Sequence, residues 1–199
     1  LTKKLNRKSR AKATAGGERP TQNEKMDRRA TPAPPDPPVS PQRRLEVGMA
    51  ADLPVLAYLT FSEVAAIDFV HKKEGLLMAP AYAVPRMLDR AGLKLQDFDF
   101  YEIHEAFAAQ VLSTLKAWED PAFCKERLGL KKPLGKIDRS KLNVNGSSLA
   151  AGHPFAATGG RIIATLAKML NEKGSGRGLI SICAAGGQGV VAIIEKPAA

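Results

Sequence analysis

The chain has 199 residues, 44% of them hydrophobic, and a formal net charge of +10. This length and composition suffice for one domain with a hydrophobic core. Two cysteines are too few for a disulfide framework, no apolar run is long enough to span a bilayer, and the N-terminus lacks the apolar core of a secretion signal. We therefore expect a soluble protein of a reducing compartment, either the cytoplasm or, in a eukaryote, the mitochondrial matrix.

The first quarter of the chain differs from the rest in composition. Residues 1–50 carry +7 of the net charge, residues 1–45 hold seven of the 14 prolines, and apolar periodicity is absent there. Such a segment buries too little surface to offset chain entropy, so we predict a disordered, basic, proline-rich tail over residues 1–50 and an ordered domain over residues 51–199. Without aromatic residues or a binding motif, a solvated tail is a better interpretation than a nucleic-acid-binding or lipid-binding one.

Predicted strands and helices alternate along the rest of the chain. We predict strands over residues 55–67, 98–103, 179–183 and 190–194, and helices over residues 81–91, 105–118, 121–128 and 155–173. The first strand is expected to be buried, and the last two are typical of central strands joined by a glycine turn into an antiparallel pair. The pattern favours an α/β fold with a mixed sheet of about five strands, covered by helices on both faces.

His153 lies in a glycine-rich segment that runs from Asn143 to Arg161, between Gly152 and Pro154. Glycine allows a ligand to approach the backbone closely, and proline fixes the chain just before the predicted helix. Imidazole titrates near neutral pH, so His153 is a candidate general base. A histidine with a structural role in a turn fits the isolated Gly-His-Pro sequence as well.

Cys183 ends a predicted strand and begins a second glycine-rich turn, residues 183–189. Backbone N–H groups in such a turn can converge on an oxyanion, and a thiol there can act as a nucleophile or a proton donor. A buried structural cysteine is an equally good interpretation of these residues alone. Cys124 lies in a polar helical stretch without a glycine turn, so we expect it to be incidental to the chemistry.

His104 opens a third motif, His-Glu-Ala-Phe-Ala, directly after a predicted strand. Ligands of open α/β sheets bind at the carboxyl ends of strands, which makes His104 a candidate site residue. Glu105 suits the first turn of the predicted helix, and capping alone can explain it. If the loops that carry His104, His153 and Cys183 converge at one edge of the sheet, they form a candidate enzyme site.

Residues 55–195 resemble the C-terminal domain of the thiolase family, the acyl-CoA:acetyl-CoA acyltransferases and acetyl-CoA acetyltransferases. Three motifs match in order and spacing: residues 104–108, 143–161 and 183–189. His104, where many thiolases carry asparagine, resembles the branch that includes the trifunctional-enzyme β-subunits. The resemblance implies the C-terminal half of a thiolase-like fold, and 3-ketoacyl-CoA thiolysis or acetyl-CoA condensation in fatty-acid β-oxidation.

The resemblance also implies catalytic roles. His153 would deprotonate a nucleophilic cysteine and help to bind the thioester oxygen. Cys183 would carry the proton of the α-carbon of acetyl-CoA. His104 would stand where the family's asparagine holds an oxyanion-hole water. The backbone at Ala185 and Gly186 would contribute to the other oxyanion hole.

Substrates and partners follow from the same resemblance. Acyl-CoA and CoA are the implied substrates, and Met78 and Phe107 are assigned to the substrate pocket. We expect no metal and no resident cofactor. Because thiolases are commonly oligomers, a homo-oligomer is an implied expectation.

The family's nucleophilic cysteine belongs to an N-terminal half, and residues 1–50 contain no cysteine. Cys183 cannot fill both roles, because the reaction needs a thioester and a separate proton carrier. Two interpretations stay open. Either the chain is a thiolase component that is active only with an N-terminal half supplied by another chain, or it is an inactive truncated protein with a structural or interaction role.

Overall fold

The computed structural model describes residues 53–198. The predicted tail and the predicted domain boundary near residue 51 lie outside these residues. The strands are β1 (Tyr58–Ala66), β2 (Phe100–Ile103), β3 (Gly176–Ala184) and β4 (Gln188–Lys196). The α-helices are α1 (Ala79–Ala91), α2 (Ala108–Glu119), α3 (Pro121–Glu126), α4 (Ser148–Ala151) and α5 (Thr158–Lys173), and a 3₁₀ turn covers Arg139–Lys141.

The four strands form one mixed sheet in the order β1-β4-β3-β2. β2 is parallel to β3, whereas β4 is antiparallel to both of its neighbours, so the predicted antiparallel pair of the last two strands is confirmed. The predicted count of about five strands is one too high for the described residues. On the outer side of β2, Leu142 forms a single isolated bridge with Tyr101. The chain then turns away at Asn143, whose φ of 47° is left-handed.

Helices cover both faces of the sheet, as predicted. On one face, α1 and α2 pack against the strands around Tyr101 and Trp118, which are fully buried. On the other face, α5 packs against β3 and β4. A Cβ atom at Gly178 would lie 2.4 Å from the nearest methyl of Leu166, so this glycine allows the close approach of α5 to β3. None of the helices between residues 53 and 198 has the length and apolar character that a bilayer span requires.

The prediction that the first strand is buried is wrong. β1 pairs with β4 at the edge of the sheet, and most of its residues are exposed, Val64 among them. Its inward side packs on α1, and Arg90 of α1 forms an ion pair with Glu63. A continuous apolar run in the sequence therefore does not distinguish a central strand from an edge strand, because an edge strand can leave apolar side chains in solvent.

Two helices begin three residues later than predicted, and both delays occur at site motifs. α2 begins at Ala108 because Phe107 is extended, with φ −148° and ψ 142°. α5 begins at Thr158 and follows a turn in which Ala156 has a left-handed φ of 66°. His104 therefore lies in a loop between β2 and α2, and His153 lies in a loop between α4 and α5.

Candidate active site

His104 and Cys183 lie close together at the carboxyl ends of the parallel strands β2 and β3. The backbone N–H of His104 donates to the carbonyl of Ser181 at 2.9 Å, which extends the strand pairing by one residue. His104 is only 2% exposed, and Cys183 is also buried. Both residues line one small cavity under α1 and α2, together with Pro80, Gln110 and Thr114.

His153 is brought to the same place by the loop before α5. Its ring centroid lies 4.3 Å from that of His104, with the two ring planes tilted by 51°. Nδ1 of His153 lies 2.6 Å from the hydroxyl of Thr158, and that hydroxyl donates to the carbonyl of Pro154 at 3.2 Å. The three candidate loops thus converge at one edge of the sheet, as the sequence predicts.

Asn143 and Glu105 hold these loops together. The side chain of Asn143 accepts from the N–H of Ile103 and donates to the carbonyl of Ile103, both at 2.9 Å, and it also donates to Glu105 at 3.0 Å. The other carboxylate oxygen of Glu105 accepts from the N–H of Leu149 at 3.0 Å. Capping of α2 is therefore the wrong explanation for Glu105, because α2 starts at Ala108 and the carboxylate instead joins the end of β2 to the first turn of α4.

Behind His104 lies a buried polar group that the sequence analysis missed. The hydroxyl of Ser148 is 2.8 Å from Nδ1 of His104 and accepts from the guanidinium of Arg161 at 3.1 Å. Glu102 is 0% exposed, and neither of its carboxylate oxygens has a hydrogen-bond partner among the described residues. Burial raises the pKa of Glu102 to about 7 against a smaller opposing effect of Arg161. A charged residue inside a predicted strand was the available signal for Glu102.

Burial also sets the protonation of the two inner candidates. It lowers the pKa of His104, and the neighbouring charges of His153 and Arg161 lower it further. Burial raises the pKa of the Cys183 thiol. At neutral pH the site therefore holds a neutral imidazole and a protonated thiol at one cavity. Such groups can pass a proton to or from a ligand placed between them.

The turn between β3 and β4 holds the backbone candidates Ala185 and Gly186, which are both exposed. Gly186 and Gly187 have left-handed φ values of 88° and 74°. The carbonyl of Gly187 accepts from the N–H of Ile67 at 2.8 Å, and a Cβ there would lie 2.7 Å from the carbonyl oxygen of Ile67. This close approach requires glycine and fixes the turn beside the end of β1.

The two pocket candidates lie in different surroundings. Met78 precedes α1, is buried, and accepts through its sulfur from the side chain of Gln110 at 3.2 Å. Phe107 is 65% exposed in front of α2. The groove beside Met78 does not include Phe107 and is lined mainly by Leu112, Lys116, Ala117 and Phe123.

Cys124 lies away from the candidate site. It is fully buried, and its thiol lies 3.4 Å from the carbonyl oxygens of Ala117 and Trp118. These contacts fit a structural cysteine between α2 and α3. Between residues 53 and 198, no group of three or more His, Cys, Asp or Glu side chains is arranged to hold a metal ion.

A layered α/β domain with two histidines and a cysteine on converging loops is the arrangement that the resemblance to thiolases implies. Residues 53–196 match the model of the thiolase C-terminal domain. The chain therefore belongs to the thiolase family, and the resemblance drawn from the three motifs is confirmed. The branch that His104 indicates stays a prediction.

Individual relatives agree with the family. Over 140 residues the chain is 50% identical to a 3-ketoacyl-CoA thiolase of Alteromonas mediterranea, a match that covers 70% of this chain and 31% of that protein. Human mitochondrial 3-ketoacyl-CoA thiolase superposes with a TM-score of 0.58 at 32% identity, over 76% of this chain and 33% of that one.

A third relative has a known two-domain architecture. The peroxisomal 3-ketoacyl-CoA thiolase of Saccharomyces cerevisiae, a five-layered structure built from two core domains of identical topology, gives a TM-score of 0.56 at 35% identity, over 77% of this chain and 38% of that one. The chain thus spans about a third of the length of the relatives it matches.

Proposed function

We propose that this chain supplies the acid–base half of a thiolase active site that acts in 3-ketoacyl-CoA thiolysis or its reverse, acetyl-CoA condensation, in fatty-acid β-oxidation. The observation that carries the proposal is the meeting of His104, His153 and Cys183 at one sheet edge. Relatives named 3-ketoacyl-CoA thiolases support the degradative substrate. CoA thioesters are the substrates, and the reaction as proposed uses no metal or resident cofactor.

The proposed thiolysis divides into two half-reactions with balanced proton transfers. His153 takes the proton of a nucleophilic cysteine, whose sulfur attacks the 3-keto carbonyl. The bond between the α-carbon and that carbonyl carbon breaks, and Cys183 protonates the departing enolate to give acetyl-CoA. CoA then attacks the acyl-cysteine thioester, its thiol proton restores Cys183, and His153 returns its proton to the released cysteine. His104 donates a hydrogen bond to an oxygen that becomes negative.

The nucleophile of this reaction belongs to the N-terminal half of a thiolase. The sequence contains two cysteines, Cys124 and Cys183. Cys124 is buried against backbone carbonyls away from the histidines, and Cys183 is needed as the proton carrier. A reducing compartment, the cytoplasm or the mitochondrial matrix, would keep both thiols free.

Exposed apolar side chains near the histidines support a covering partner. Phe155 is 85% exposed and stacks on His153 with 5.0 Å between ring centroids. Phe107, just before α2, and Leu149, in α4, are also largely exposed. Large exposed apolar side chains grouped near a site are typical of a protein interface. The second core domain of the yeast relative offers the matching type of partner.

A reconstitution experiment tests the proposal. The purified chain is mixed with the N-terminal part of the Alteromonas mediterranea thiolase, and acetyl-CoA formation from a 3-ketoacyl-CoA and free CoA is measured. We expect turnover by the mixture and by neither component alone. His153→Ala should lower turnover by about 10²- to 10⁴-fold, the usual contribution of a general base. His71→Ala, which removes an exposed histidine outside the site, should leave turnover unchanged.

Two outcomes would contradict the proposal. A mixture that associates, as judged by size-exclusion chromatography, but does not turn over would support the alternative of an inactive thiolase-like chain. Turnover by the chain alone would show that the nucleophile is not supplied by a second half.

A further inference from the structure

We propose that two separate hydroxyl relays hold the neighbouring histidines in opposite tautomers, with His104 protonated on Nε2 and His153 protonated on Nδ1. Ser148, held by Arg161, sets the first tautomer, and Thr158 sets the second. These three are positioning residues, because they act through the imidazole rings. The tautomers are properties of this chain by itself, whereas their consequence for turnover rests on the proposed function.

The relay to His104 begins at Arg161. A guanidinium can only donate, so the hydroxyl of Ser148 accepts from Arg161 across 3.1 Å. The hydroxyl keeps one proton, and Nδ1 of His104, at 2.8 Å, is the acceptor that the structure places within its reach. Ser148 is buried, so a hydroxyl proton without an acceptor would be costly. Nδ1 therefore accepts, and the proton of the neutral ring resides on Nε2.

The relay to His153 runs in the opposite sense. The hydroxyl of Thr158 donates to the carbonyl of Pro154 at 3.2 Å, since a carbonyl can only accept. With its proton committed, the hydroxyl accepts from Nδ1 of His153 across 2.6 Å. Nδ1 of His153 therefore carries the proton, and Nε2 has a free lone pair.

The charged groups around His104 keep its ring neutral. On the α5 side, Arg161 opposes a second positive charge, as does His153 on the loop before α5. Glu105, after β2, acts in the other direction but is already bonded to Asn143 and to the N–H of Leu149. Glu102, on β2, is about half ionised at pH 7 because burial raises its pKa to about 7, yet the pKa of His104 is still lowered overall. The tautomer of His104 is therefore defined under the conditions in which the site would work.

The opposite tautomers give the paired rings different chemistry. With centroids 4.3 Å apart, one ring offers an Nε2–H donor and the other an Nε2 acceptor. A donor can stabilise a developing oxyanion, whereas an acceptor can take the proton of an attacking thiol. In the reaction proposed above, these are the different tasks of His104 and His153. Reversing either tautomer would remove one of the two functions while leaving both side chains present.

Nitrogen-15 NMR of the full chain, labelled only at histidine, measures the tautomers directly. The chain has three histidines, and His71→Gln and His104→Asn variants assign their ring signals. At a pH where the rings are neutral, we expect the protonated-Nε2 pattern for His104 and the protonated-Nδ1 pattern for His153. The same tautomer on both rings, or either assignment reversed, overturns the proposal without any variant.

Matched variants test each relay separately. Ser148→Ala should turn the His104 signal into a tautomer mixture, and Ser148→Thr, which keeps the hydroxyl, should restore it. Thr158→Val should do the same to His153, and Thr158→Ser should restore it. Each pair should leave the other histidine unchanged. A tautomer that survives loss of its hydroxyl overturns the assigned relay.

In the reconstituted enzyme, Ser148→Ala and Thr158→Val should lower kcat more than they raise KM. The variants that keep the hydroxyl, Ser148→Thr and Thr158→Ser, should recover kcat. Correct tautomers without turnover would contradict the proposed function and leave the relays standing. Turnover with the wrong tautomers would contradict the relays and leave the proposed function standing.

Discussion

The inner and outer parts of the site are built differently. The inner part, Glu102, His104 and Cys183, lies at or just beyond strand ends and is buried. The outer part, residues 152–157 and 185–186, lies on turns whose residues are exposed. Burial shifts the pKa of every inner group. This contrast shows that the domain alone fixes the protonation of the inner groups, while the outer loops still present free surface to a partner.

The largest effect should come from disturbing the packing that supports the inner part. Leu166 of α5 is fully buried against β3, where Gly178 allows the close approach of the helix. Leu166→Ala should lower the free energy of unfolding by about 2–5 kcal/mol, because it leaves a cavity in a closely packed layer. Urea unfolding followed by circular dichroism measures this change.

A matched control lies on the same helix. Lys168 has a side chain that is 72% exposed and forms an exposed ion pair with Glu172. Lys168→Ala should change the free energy of unfolding by less than about 0.5 kcal/mol. Equal effects of the two substitutions would show that α5 does not support the inner part of the site by packing on the sheet.

The next largest effect concerns the buried carboxyl of Glu102. Its pKa in the folded chain is about 7, above the ordinary value of 4.5, so the folded protein holds a proton that the unfolded chain releases. Stability contributed by this group is therefore lost as the pH rises from about 4.5 through 7. Glu102→Gln should stabilise the protein by up to about 3 kcal/mol at pH 8 and change little at pH 5.

Urea unfolding of both forms at the two pH values tests this prediction, since shifts at other groups cancel in the comparison. The opposite result, a wild type that gains stability over the glutamine variant at pH 8, would show that Arg161 pairs closely enough to keep the carboxylate charged.

The thiol of Cys183 should show the same effect of burial in its reactivity. Because burial raises its pKa from the ordinary 9.0, the thiolate fraction should increase about tenfold per pH unit from pH 7 to pH 9. Alkylation by iodoacetamide, followed by mass spectrometry of the Cys183 peptide, should rise in the same proportion. In a Cys124→Ala variant, the alkylation rate of Cys183 should depend on pH in the same way. A rate that levels off near pH 8 would contradict a protonated thiol at neutral pH.

The motifs allowed the sequence to predict which residues meet. His104 follows a strand, His153 follows a glycine and Cys183 precedes a glycine turn, and the three do converge. The alternation of apolar runs and periodic segments also predicted a mixed sheet with helices on both faces. These features depend on local spacing and on the general rule that parallel strands gather their carboxyl ends.

The parts that the sequence did not predict depend on contacts between distant segments. The link from Arg161 through Ser148 to His104 joins α5, α4 and the end of β2, and no local pattern specifies it. The role of Glu105 was misassigned for the same reason, since its partner Leu149 lies in another element. The edge position of β1 likewise depends on its pairing with β4. Edge and central strands are both rich in apolar residues, so composition does not predict which position a strand takes.

The smallest effect on stability should come from the outer part. Phe155 is 85% exposed, so Phe155→Ser removes little packing within the described domain and should change the free energy of unfolding by less than about 0.5 kcal/mol. The same substitution should weaken association with an N-terminal thiolase half, because a large apolar side chain at the rim of the site is a typical interface anchor. Urea unfolding and titration calorimetry measure the two effects. A loss of more than 1 kcal/mol in the chain alone would mean that Phe155 already packs within its own domain, and the contrast between inner and outer parts would fail at that residue.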